Sequence, residues 1–201
     1  MLKELLKNTK FRSSVRDFYA QSKDRILDIL LFGSVVRGKE QPADIDLLIL
    51  YKNGKGQIEL SHQLRTTLEK KGFHASITSK TYDALFDPAF TAREAFLSEA
   101  YSLVLDVYIS KGLGYEPVVL FRYSLKTRTK SERMRFYYSL YGRNGGKGVL
   151  DANNSRKFSD TIIAAPIENS ENIKAFLEYW KLDYLEIPTL IPYRILHAKK
   201  L

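Results

Sequence analysis

Cysteine is absent from this 201-residue chain, which excludes a disulfide framework, a thiolate zinc site and a cysteine nucleophile. Histidine is scarce. His62, His74 and His197 stand alone, with no HxxxH or HExxH spacing, which argues against a histidine-rich metal centre. No mainly apolar run approaches the roughly 20 residues that a helix needs to cross a bilayer. The start, Met1-Leu2-Lys3-Glu4, has no signal-peptide stretch, so a soluble cytoplasmic protein without a membrane partner is expected. Acidic side chains are the minority charge, 23 against 32 lysines and arginines. What is present in quantity is apolar and aromatic: 44% and 12% of residues, enough for one domain or two small ones with real cores.

The formal charge of +9 is unevenly placed. Between Arg122 and Lys157 ten basic residues face only Glu132 and Asp151, a net +8 in one segment. Such asymmetry points to a polyanionic partner, with a merely solvated basic face as the alternative.

Apolar patterning predicts a helix over Phe11–Gln21, a buried strand over Arg25–Phe32 and a second over Ile45–Tyr51 closed by the loop Lys52–Gly56. A helix over Ile58–Lys71, a strand over Phe73–Thr78 and a helix over Ala92–Ala100 follow, and Ser102–Ile109 fits either a strand or more helix. Two glycines and a proline in Lys111–Pro117 mark a boundary, giving domains 1–114 and 115–201. The second domain reads as strand (Val118–Ser124), helix (Ser131–Tyr141, capped by Ser131 and stopped by Gly142), glycine loop (Asn144–Gly148) and strand (Thr161–Ala165). A helix over Asn169–Leu182 and an extended piece, Tyr184–Ile191, broken by Pro188 and Pro192, complete it. The fold class expected from this order is α/β (α+β), two small α/β domains joined near residue 115.

The sharpest local feature is Gly33-Ser34-Val35-Val36-Arg37-Gly38, followed by Asp44-Ile45-Asp46. Gly33 permits a tight turn that brings backbone amides close to a phosphate, and Ser34 adds a hydroxyl donor. On a strand, Asp44 and Asp46 share a face about 7 Å apart, where two carboxylates can hold Mg²⁺ bridged by phosphate oxygens. Two such ions clamp the attacking and leaving oxygens of an in-line displacement. Arg37 is placed to steady a triphosphate tail.

Leu31-Phe-Gly-Ser-Val-Val-Arg-Gly38 with Ala43-Asp-Ile-Asp-Leu-Leu-Ile49 resembles the signature of the DNA polymerase beta-like nucleotidyltransferase superfamily, in its minimal form, over roughly residues 25–110. The resemblance implies a short mixed sheet flanked by helices, two Mg²⁺ ions, and transfer of a nucleoside monophosphate from an NTP to a hydroxyl. It implies Gly33 and Ser34 at the triphosphate and Asp44 and Asp46 as catalytic metal ligands. It also implies a third carboxylate on the next strand, where this chain offers His74 and Ser76; Asp106 takes that place if the strand order permits.

The basic segment interleaves its charges with Tyr123, Phe136, Tyr137, Tyr138, Tyr141 and Phe158, a composition suited to single-stranded nucleic acid. Met134, Tyr137, Tyr138 and Tyr141 recur at helical spacing and are expected to face a core, leaving Arg135 and Ser139 outside. Arg143 and Lys147, flanking the glycines, join Arg135 as candidate acceptor-phosphate contacts. RNA is the favoured acceptor, with a protein or a small hydroxylated molecule as other candidates. The alternative reading is a catalytically degenerate transferase fold that binds nucleic acid or a partner protein.

Overall fold

A computed structural model describes residues 2–39, 41–53, 57–91 and 93–196. Residues 54–56 of the expected loop, Ala92 at the start of the expected helix, and His197 lie outside them. The chain divides into two compact units, Met1–Gly114 and Tyr115–Leu201.

The first unit runs α1 (Leu2–Lys7), α2 (Thr9–Ser22), β1 (Ile26–Phe32), α3 (Ser34–Arg37), β2 (Ile45–Tyr51), α4 (Gln57–Glu69), β3 (Ala75–Thr81), α5 (Arg93–Glu99), β4 (Tyr101–Ser102), β5 (Val107–Tyr108) and α6 (Ile109–Gly112). Its strands lie in the order β3-β2-β1-β4-β5. The β2–β3 pair, joined through α4, is parallel and the other pairs are antiparallel, so the sheet is mixed. Both faces of the sheet centre are buried, which explains the near-continuous apolar runs of β1 and β2. Ile29, Leu31, Leu47, Ile49 and Tyr51 form one inner face, which Phe11, Val15 and Phe18 of α2 and Leu60, Leu64 and Leu68 of α4 accompany in the core. The other face carries Leu30, Leu48 and Leu50, packed with Leu85, Ala100, Phe32, Phe90, Phe96 and Ile109.

Ser102–Ile109 is neither one strand nor more helix but a tight hairpin followed by α6. Ser102 Oγ donates to buried Asp28 Oδ1 at 2.9 Å and accepts from Leu105 N at 2.8 Å, and Asp106 closes the turn at φ 59°. Polar pairing across 74 residues, invisible to periodicity, decides this segment.

The second unit runs β6 (Tyr115–Tyr123), α7 (Lys130–Tyr141), α8 (Val149–Ala152), β7 (Arg156–Ser159), β8 (Ile162–Pro166), α9 (Ser170–Tyr179), β9 (Tyr184–Pro192) and α10 (Tyr193–Leu196). Its sheet is antiparallel, ordered β7-β8-β6-β9. β9 continues through Pro188 instead of breaking there, and ends on Pro192, where α10 follows. It is an edge strand, where the ladder tolerates a residue without an N–H. Val119, Phe121, Ile163 and Ala165 point from one face into a core that includes Ile173 and Leu177 of α9.

Two expectations for α7 are corrected. Its N-cap is Thr129, not Ser131: Thr129 Oγ1 accepts from Glu132 N at 3.3 Å while Glu132 Oε2 accepts from Thr129 N at 2.8 Å, a capping box. Its core face is Phe136 and Leu140, not the Met134–Tyr137–Tyr138–Tyr141 stripe. Phe136 is 1% exposed among the rings of Tyr123, Phe176 and Trp180, whereas Met134, Tyr138 and Tyr141 are about two-fifths exposed (42%, 40% and 39%). The two apolar stripes are one register apart, and packing against α9 selects the other one.

Candidate functional site

The site is built where β1 ends and β2 begins. β1 delivers Phe32 opposite Asp46, and the next residue, Gly33, turns the chain at φ 76°, ψ −151°. α3 is a single helical turn, with Val36 N and Arg37 N donating to Gly33 O at 3.1 and 3.2 Å. Val35 and Val36 are 1% and 0% exposed, so the turn is pinned from below by the core. Gly38, at φ 91°, ends it.

Asp46 lies against this turn. A Cβ built on Gly33 would overlap the Asp46 carboxylate oxygen, so only glycine allows the acid and the turn to meet. Asp44 precedes β2 by one residue and, like Asp46, is half-buried. Burial, and then the charge of Asp44, push the Asp46 carboxyl above the usual range, while the Arg37 guanidinium pulls it back. Gly33, Ser34, Arg37, Asp44 and Asp46 therefore share one end of the sheet.

Arg37 does not reach freely into this space. Its Nη1 donates to both oxygens of Glu99, at 3.1 and 2.8 Å. Glu99 is 7% exposed at the C-terminal end of α5, immediately before Ala100 and β4. Sequence reading missed this residue. A signal existed: a carboxylate in the last turn of a helix opposes the helix dipole and needs a cation partner.

Asp106 is not brought to the pair. β4 runs antiparallel to β1, with Tyr101 opposite Leu31 and Ser102 opposite Leu30, so the following turn heads away from Phe32 towards Asp28. There Asp106 Oδ1 accepts from Tyr101 Oη at 2.9 Å and pairs with Arg12 at 3.2 Å. The expectation of Asp106 as the third carboxylate is thereby corrected. Ser76 lies opposite Asp46 on β3, and His74 is exposed, its carbonyl accepting from Ile45 N. Among the described residues no group of three or more His, Cys, Asp or Glu side chains could hold a metal ion.

Magnesium, however, is commonly held by one or two carboxylates with the remaining positions left to substrate phosphates and water. Two adjacent carboxylates, one of them made reluctant to ionise by burial and then by its neighbour's charge, fit that donor set.

In the second unit Arg135, Arg143 and Lys147 are all exposed. The Arg143 guanidinium lies 4.8 Å from the Tyr138 ring centroid, and Tyr137 stacks on Tyr141 at 5.9 Å. Gly142 and Gly148 approach so closely that a side chain on either would overlap backbone, which fixes the loop carrying both cations.

Among the described residues no helix is long and apolar enough to cross a membrane. No curated protein and no solved structure matches the chain. Residues 17–85 match the model of the family described as Polymerase beta, Nucleotidyltransferase, from the middle of α2 through the glycine–serine turn and the Asp44–Asp46 pair to β3. This segment of the first unit is therefore similar to the DNA polymerase beta-like nucleotidyltransferases.

Proposed function

We propose that the chain transfers a nucleoside monophosphate from an NTP to an acceptor hydroxyl, with RNA as the favoured acceptor and pyrophosphate as leaving group. The observation that carries this reading is the packing of Asp46 against Gly33, which joins the acid pair and the phosphate-side turn into one site inside the matched segment. Asp44 and Asp46 would hold Mg²⁺. Bound there, Mg²⁺ supplies Lewis-acid polarisation and charge neutralisation at the phosphate oxygens. The Gly33–Ser34 turn orients the triphosphate through backbone amides and the Ser34 hydroxyl. Arg37, anchored by Glu99, adds positive charge beside Asp46. The exposed Arg135, Arg143 and Lys147, with Tyr138 and Tyr141 beside them, are the acceptor surface of this proposal.

The test is incubation of the full chain with labelled NTPs, Mg²⁺ and cellular RNA. Transfer by the wild type is expected, reduced about a hundred- to a thousandfold in Asp44→Asn and Asp46→Asn. No transfer, or equal transfer by the variants, defeats the proposal.

A second reading draws on the absence of a third acid beside the pair among the described residues. In it the fold binds RNA or a partner protein without turnover. It predicts salt-sensitive RNA affinity that neither EDTA nor Asp44→Asn alters, and that Arg143→Ala/Lys147→Ala weakens.

A further inference from the structure

The face of the first sheet that carries Asp46 continues into a cavity with no assigned role. β-Strand register gives the rows of this face: Phe32, Asp46 and Ser76 in the first, and Leu30, Leu48 and Thr78 in the next. A cavity of about 170 Å³ opens across these two rows, floored by Phe32, Leu48 and Thr78 and walled by Phe90 and Phe96. Phe32 is the cross-strand neighbour of Asp46, so the cavity starts beside the carboxylate. Thr78 sits on the exposed edge strand β3, which leaves the mouth open to solvent. Three phenylalanine rings that are only partly buried surround space which a filled core would occupy.

We propose that this cavity receives the nucleobase of the donor NTP. The inference rests on the transferase reading, which puts the triphosphate at the Gly33–Ser34 turn. The aromatic end of the same molecule must then lie a ribose away, and the next row of the sheet is about 7 Å further along the strand. Cavities of about 150 Å³ lined by apolar side chains take up a benzene ring, so the volume suits an aromatic ring. The lining suits recognition by stacking: three phenyl rings offer π-faces to any base, and among the described residues of the lining Thr78 alone carries a hydrogen-bonding group. A site that reads no base edge discriminates weakly, so the four nucleotides bind within roughly tenfold of one another.

The experiment is calorimetric titration of the full chain, in Mg²⁺, with the α,β-methylene analogue of ATP and separately with inorganic tripolyphosphate. The wild type is expected to bind the nucleotide more tightly than the tripolyphosphate. Phe90→Ala is expected to weaken nucleotide binding about 5- to 150-fold, the range for losing one base-stacking ring, with tripolyphosphate binding unchanged. Thr78→Phe, which fills the cavity from its floor without removing a core side chain, is expected to abolish the preference in the same way. Unchanged nucleotide binding in both variants, or equal loss of both ligands in both, overturns the base pocket alone. Failure of either ligand to bind the wild type overturns the transferase reading on which it rests.

Discussion

The two units use one architecture, a sheet with helices against it, for opposite electrostatic arrangements. In the first, the shifted carboxylates Asp28 and Asp46 are pushed above the usual range, burial being the largest cause for each. In the second, Glu132, partly exposed, and Asp160, fully at the surface, are held below it. Hydrogen bonds from Thr129 act first on Glu132, and the Lys157 ammonium acts on Asp160. One unit draws acids inward, Asp28 onto the Ser102 hydroxyl and Asp46 against the Gly33 turn at the other end of β1. The other spreads cations and rings over a helix and a loop, where water screens them. Burial concentrates chemistry at a point, and exposure distributes affinity over a surface.

The comparison breaks most easily at the second unit's core. Phe136→Ala is expected to cost about 3–5 kcal/mol in denaturant unfolding, since the ring sits among Tyr123, Phe176 and Trp180. Tyr138→Ala, two residues on and exposed, should leave stability within about 0.5 kcal/mol yet weaken RNA binding; an equal cost for both would erase the distinction between core and surface rings. Next in size is Gly33→Ala. An alanine at φ 76°, ψ −151°, a region open essentially to glycine alone, costs about 1–3 kcal/mol, and its Cβ displaces Asp46, so NTP transfer should fall about a hundredfold, as measured by initial rates. A smaller effect sharpens the role of the loop: Arg143→Ala and Lys147→Ala should each reduce the salt dependence of RNA binding by about one unit of slope, with NTP binding unaltered.

The smallest effect is in pH. Asp28 and Asp46 have folded pKa values above their unfolded ones, so the stability they confer is complete below the unfolded value and is lost as pH rises through the raised one. Glu132 and Asp160 run the other way, their contribution being lost as pH falls through the lowered values. Carboxyl-carbon NMR titration should show the two pairs on opposite sides of the ordinary carboxylate range. Asp44→Asn should bring Asp46 down towards it.

Much of the first unit is legible because its strands are buried on both faces and its turn depends on glycine, features that composition and spacing report directly. The glycine–serine turn and Asp44–Asp46 fall together for that reason. Glu99 and Asp106 are not legible in the same way. Each is a lone acid near a short strand, and which end of the sheet it reaches depends on the direction of β4, only two residues long. In α7, two interleaved apolar stripes compete, and rings at either register satisfy helical periodicity; the partner helix, not the sequence of α7, decides which is buried.

The sequence by itself determined the α/β class, a glycine turn followed by an acid pair, and the basic character of residues 122–157. These follow from local chemistry: φ at a glycine, the two-residue period of a strand, the sum of charges. Only the tertiary structure decided that Arg37 is held by Glu99, that Asp106 belongs to Arg12 and Tyr101, and that Phe32, Phe90 and Phe96 leave a cavity beside Asp46. Those are pairings between residues far apart in the chain, fixed by strand order and packing, and no local period encodes them.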